Sequence, residues 1–220
     1  MRLSRVGCRL TGSEGIVGLR GTNACVALRR LYTRELSVMS ECEHSALFVP
    51  VPEAEPVVAE WRAVHDPKAR TGVPAHITLV VPWLVPDSFG PAELEDLDHL
   101  VAARPAFEYL LDKVCWFGDR VLWLAPNPAE PFRQLTEALA DHFGTPAWEG
   151  KFDEIVPHLT VGLSNYALGL HLGEAADHIS GQLPIACEAR EVIVMCGDGL
   201  HWRARHRSPL GRPAQNNSPS

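Results

Sequence analysis

The sequence predicts an α+β fold, on three observations. Short apolar runs rich in Val, Ile and Leu alternate with segments whose apolar residues recur at helical spacing. Gly118-Asp119 and Gly197-Asp198-Gly199 each sit between two such runs and signal hairpins. Strict strand–helix–strand repeats are missing, so hairpins and helices mixed along one chain fit α+β better than a parallel α/β sheet. The 220 residues, 46% hydrophobic, suffice for one domain or two small lobes that share a core.

The first run, residues 46–51, reads as a strand, with Pro50 and Pro52 marking its end. Val57, Val58, Trp61 and Val64 give residues 53–65 a helical stripe that stops at Asp66-Pro67, and Thr71-Gly72 turns the chain. Residues 75–81 form a strongly apolar strand closed by Pro82. A helix at 91–103 places Leu94, Leu97, Leu100 and Val101 on one face. The hairpin 107–115/121–125 follows, then a helix at 131–143 with Phe132, Leu135, Leu139 and Phe143 inward. Residues 157–163 read as a strand, 170–179 as a short helix, and 185–195 and 200–207 as a final hairpin. A tail rich in Pro, Ser and Asn, residues 208–220, is expected to be disordered.

Charge is unevenly spread. The net charge is −7, yet residues 1–38 hold seven Arg against two Glu, which leaves −12 on the remainder. An acidic body excludes sequence-blind binding of long double-stranded nucleic acid, which needs many Lys and Arg contacts to phosphate. A small phosphorylated ligand needs only one local pocket. Residues 1–44 are expected to be a disordered or artefactual extension. Within them, residues 1–38 read as an Arg-rich extension, a transit peptide, or a stretch upstream of a start at Met39. No apolar run is long enough to span a bilayer, so no membrane partner is expected. Six Cys without a CxxC read as reduced thiols of a cytoplasmic protein. Cys187 and Cys196 make a poor zinc site, and no metal is expected. No Gly-rich phosphate loop follows a strand, so nucleotide-cofactor fingerprints are absent.

A weak internal duplication carries the chemistry. Val73-Pro74-Ala75-His76-Ile77-Thr78-Leu79-Val80 is echoed by Ile155-Val156-Pro157-His158-Leu159-Thr160-Val161-Gly162. With ten His and eight Thr, a random order would place His-x-Thr less than once. On a strand, residues i and i+2 share a face. His76 and Thr78 therefore lie side by side, as do His158 and Thr160, while Ile77, Leu79, Leu159 and Val161 point into the core. Imidazole titrates near pH ~6.5, so one of two facing His can be neutral and the other protonated, as general base and general acid require. Thr hydroxyls suit the non-bridging oxygens of a phosphate. The residues leave three readings open: an acid–base enzyme, a module that binds a phosphorylated ligand without turning it over, and a metal-dependent hydrolase.

On Pro74 to Leu79, Val156 to Val161 and Val121-Leu122-Trp123-Leu124-Ala125-Pro126, the chain resembles the 2H phosphoesterases over roughly residues 45–207. Within them it is similar to the branch of 2′-5′ RNA ligases and cyclic nucleotide phosphodiesterases. The resemblance implies a bilobal fold, two pseudo-symmetric lobes of antiparallel sheet plus helices around a central cleft. It implies metal-independent, cofactor-free hydrolysis of a 2′,3′-cyclic phosphate or a 2′-5′ phosphodiester of a small nucleotide or RNA end, with ligation as the reverse. His76 and His158 would be the acid–base pair, and Thr78 and Thr160 the phosphate binders. A monomer is expected.

Weaker candidates surround this core. Phe48 and Trp83 are candidates to stack on a base, although strand-end aromatics more often pack. Arg120, beside the hairpin turn, is a candidate phosphate contact. Arg203, Arg205 and Arg207 alternate along the last strand and are expected to share one solvated face.

Overall fold

Among the described residues, eight strands join in one antiparallel sheet. They are β1 (His44–Pro50), β2 (His76–Val80), β3 (Phe107–Phe117), β4 (Val121–Asn127), β5 (Leu159–Leu163), β6 (Ile185–Ala189), β7 (Glu191–Gly197) and β8 (Trp202–Pro209). The order across the sheet is β6-β3-β4-β5-β2-β1-β7-β8. The computed structural model describes residues 42–85, 89–146, 154–164 and 172–212. Expectations for the extension before residue 42, for residues 170 and 171 and for the tail beyond 212 lie outside them.

The sheet divides into two four-stranded halves that meet where Ile77 pairs with Leu159. Each half holds the same unit. Strand β1 leads into helix α1 (Glu55–His65), a single turn α2 (Pro67–Arg70) and β2; strand β4 leads into α4 (Glu130–Phe143) and β5. Helix α3 (Pro91–Ala102) follows the first unit and α5 (Leu172–Ser180) the second. Both α1 and α4 open on Glu-Pro, since the fixed φ of proline suits a first helical turn whose N–H has no partner anyway. Gly144 ends α4 in the left-handed conformation, φ +64°.

The helices cover one face, and the main core lies beneath them. Ile77, Leu79, Leu159 and Val161 are each fully buried there with Val58, Leu97, Phe132, Leu135, Leu139 and Ile179. Each such side chain contributes about 1.5–3 kcal/mol of burial. The helices are exchanged between halves: α1 packs on β5 and α4 on β2. Gly162 permits the first contact, because a Cβ there would collide with the Cβ of His65. On the opposite face, Ala46, Phe48, Val73, Ile193, Met195 and Trp202 form a smaller cluster. Trp202 is tied to the α2–β2 turn by its backbone N–H, which donates to the Thr71 carbonyl at 2.6 Å.

Several expectations are corrected. The run 185–195 is two strands rather than one: β6 pairs with β3, whereas β7 pairs with β1 in the other half, with Arg190 at the break. Apolar patterning alone does not reveal such a crossover, since both strands bury similar residues. Regular structure reaches beyond the expected bounds at both ends: β1 includes His44, while Ser208 and Leu210 are buried and the Gly211 N–H donates to the Arg104 carbonyl. Cys42 and Cys196 form a disulfide with a Cα–Cα distance of 5.2 Å, so these two are not the free thiols expected. The 154 residues between them hide that β1 and β7 are neighbours. Finally, a register shift in β8 puts Arg203 across from Cys196 and Arg207 across from Ile193, residues of opposite faces, so the arginines do not share one.

Candidate active site

The open face at the centre of the sheet carries all four motif side chains. His76, Thr78, His158 and Thr160 are half-buried, while the alternate residues Ile77, Leu79, Leu159 and Val161 are fully enclosed. Strands β2 and β5 are adjacent and antiparallel. Extending the Ile77–Leu159 register by one residue sets His76 level with Thr160 and Thr78 level with His158. The imidazoles are then diagonal neighbours, with Cβ atoms somewhat less than about 7–8 Å apart.

Both rings are held in the same way. His76 Nδ1 lies 2.7 Å from the Pro74 carbonyl and His158 Nδ1 lies 2.6 Å from the Val156 carbonyl, in each case two residues upstream. A carbonyl only accepts, so Nδ1 carries the hydrogen and donates it. In the neutral ring Nε2 then carries the lone pair. Burial pushes His76 down to about 3, opposed by the hydrogen bond to Pro74 and reinforced by the positive charges of Arg62 and Lys68 and by that of His158 whenever it is protonated. His158 is likewise lowered by burial, against its bond to Val156. Both rings are thus neutral at physiological pH in the unliganded protein, which departs from the one-neutral, one-charged pair anticipated from free imidazole.

The walls of the site are aromatic and unequal. Phe48 lies 4.0 Å from the His76 ring at 31°, but only 6% exposed it packs in the smaller cluster, so it backs His76 and does not present the open stacking face expected of it. His158 meets the edge of Phe117 at 5.0 Å and Trp123 at 5.7 Å, and these two stack on each other at 4.7 Å. Phe117 and Trp123 were not apparent as site residues in the sequence. The signal was present in β4, where Trp123 alternates with the buried Leu122 and Leu124 and pairs with Thr160. Trp83 is corrected: only 3% exposed, it packs between Phe89 and Phe143 in the main core and is closed to a ligand. Arg120 is exposed at the hairpin tip. Its carbonyl accepts from the backbone N–H of Ser164, at the far end of β5 from His158. Among the described residues no three His, Cys, Asp or Glu side chains cluster as a metal site would require.

The profile of the 2′-5′ RNA ligase superfamily matches residues 49–199, a span that includes both His-x-Thr strands. The chain belongs to the 2′-5′ RNA ligase superfamily. It is thereby a protein of the 2H phosphoesterase type. Similar solved structures include E. coli LigT complexed with 3′-AMP, at 20% identity and TM-score 0.47, covering 77% of this chain and 99% of that one. The apo form of E. coli LigT is 21% identical with TM-score 0.49, covering 78% and 99%. A structure described as a phosphoesterase is 20% identical with TM-score 0.47, covering 77% and 99%. Among curated proteins none matches. Within this superfamily member, no helix of the described residues is long and apolar enough to cross a membrane.

Proposed function

We propose that the protein is a metal-independent phosphodiesterase that acts on a 2′,3′-cyclic phosphate or a 2′-5′ phosphodiester of a nucleotide or RNA end, with ligation as the reverse reaction. The observation that supports this reading is the matched pair of imidazoles at neighbouring positions of the sheet, each with Nδ1 donated to its own chain, so that in the neutral ring Nε2 carries the lone pair. In hydrolysis the neutral Nε2 of one His takes a proton from water as the water oxygen bonds to phosphorus. The other His, as imidazolium, gives its proton to the departing ribose oxygen as that P–O bond breaks. Thr78 and Thr160 donate to the non-bridging oxygens.

The lowered basicity of both rings has a use in this scheme. A phosphodiester anion between them supplies the negative charge that an imidazolium requires, so the catalytic proton is taken up with the substrate. Phe117, 37% exposed and stacked on Trp123, offers a flat surface for a base beside His158. The experiment is turnover on a panel of 2′,3′-cyclic nucleotides and 2′-5′-linked dinucleotides, with product identification. His76→Ala and His158→Ala should each lower the rate by about 10²–10⁴-fold. Unchanged turnover in both variants overturns the mechanism, and tight binding of these ligands by the native protein with no product makes it a binding module instead.

A further inference from the structure

The two halves share a second feature that neither motif contains. Arg62, on α1, donates from Nη2 to the carbonyl of Val73 at 3.3 Å. Arg133, on α4, donates from Nε to the carbonyl of Ile155 at 3.1 Å. Val73 and Ile155 are equivalent positions, each three residues ahead of the motif histidine. The next carbonyl along, Pro74 or Val156, is the one that accepts from the imidazole Nδ1. In each half the arginine comes from the helix that precedes the motif strand, and its guanidinium also approaches the glutamate that opens that helix. Arg62 Nη1 is 4.0 Å from Glu55 and Arg133 Nη1 is 3.5 Å from Glu130.

One difference between the halves has a simple cause. Glu55 also accepts from the backbone N–H of Ala75 at 2.6 Å. The equivalent position in the second copy is Pro157, which has no N–H to satisfy, and there Glu130 accepts from Gln134 instead.

We propose that Arg62 and Arg133 are a matched pair of positioning residues that set the aim of His76 and His158. Each guanidinium pins the peptide one step before the carbonyl that fixes the ring, so it sets the Nδ1–H tautomer and the direction of Nε2 without touching substrate. The inference rests on the acid–base reading of the two histidines. It does not follow from burial alone. Arg62 is 2% exposed and locked to Asp66 at 2.8 Å, whereas Arg133 is 35% exposed, yet both reach the same backbone position.

The exposed partner makes the idea testable without dismantling the fold. Arg133→Met and Arg133→Lys would be compared with the native protein by nitrogen-15 NMR of the imidazoles and by steady-state kinetics on a 2′,3′-cyclic nucleotide. Arg133→Met should move His158, and not His76, from the Nδ1–H tautomer toward a mixture. It should also lower kcat about ten- to hundredfold, the scale of a small misplacement, with KM within about twofold. Arg133→Lys, which keeps a donor, should restore most of both. Native His158 spectra and native kcat in folded Arg133→Met overturn the proposal. If Arg133→Met does not fold, Arg133→Gln takes its place: a shifted His158 tautomer and lowered kcat support the proposal, and native values of both overturn it. Absence of turnover by the native protein defeats the proposed function alone, because the tautomer measurement needs no substrate.

Discussion

At the scale of single residues, the site works through what its imidazoles cannot do alone. His76 is held near 3 and His158 is also lowered, both first by burial. In the unfolded chain each titrates near ~6.5. Below that pH the unfolded state takes up a proton that the folded state refuses, so stability falls as pH drops from ~6.5 toward the folded value, and above ~6.5 there is no contribution. The melting temperature should therefore decrease from pH 7 to pH 5, and His76→Asn should flatten that slope; an unchanged slope would mean that His76 is not held neutral. The same logic makes the affinity for inorganic phosphate rise as pH falls, with proton uptake measurable by calorimetry in buffers of different ionisation enthalpy. The threonines belong to this scale as well. Loss of a hydroxyl that donates to a charged oxygen costs about 1.5–3 kcal/mol, so Thr160→Val should reduce kcat/KM about ten- to hundredfold while the fold stays intact.

At the scale of elements, the strands present the chemistry and the helices hold it still. A two-residue period is a local property, which is why His76 and Thr78, and His158 and Thr160, could be placed on one face before any contact was known. The expected helices at 53–65, 91–103 and 131–143 correspond to observed elements because each buries a stripe on the sheet. What the helices touch is another matter. Helix α1 packs on β5, the motif strand of the other half, and this depends on the missing side chain at Gly162. Gly162→Ala should force α1 away from β5 and cost about 1–3 kcal/mol, read as a lower urea midpoint. Because His158 sits four residues upstream, immediately ahead of β5, kcat should fall too. A variant of native stability would show that α1 has room to move.

At the scale of the whole molecule, two repeats are joined into one sheet by a single registered pair at the centre, with the exchanged helices behind it. The chain returns after β6 to complete the first half with β7 and β8, so the sheet closes around segments far apart in sequence. The Cys42–Cys196 bond ties the start of β1 to the end of β7 across 154 residues. A crosslink over such a loop stabilises by about 2–4 kcal/mol, largely through the unfolded chain. Urea unfolding with and without reductant should differ by that amount in the native protein and not at all in the Cys42→Ser/Cys196→Ser double variant. Equal midpoints in the native protein would show that the bond contributes nothing to stability.

The alternation of the two His-x-Thr runs, the positions of most elements and the core face of the two motif strands were legible from the order of residues, because each depends on neighbours within a few positions along the chain. Besides the Cys42–Cys196 disulfide and the faces of the last strand's arginines, four features of the fold and the site were not. They are the split of residues 185–195 between halves, the burial of Trp83 away from the site, the aromatic wall of Phe117 and Trp123, and the arginines behind each histidine. Arg62 stands 14 residues before His76 and Arg133 stands 25 before His158, so no shared spacing marks them. Their common role exists only where two helices of different length return their guanidinium groups to the same backbone carbonyl, and that coincidence is made by packing.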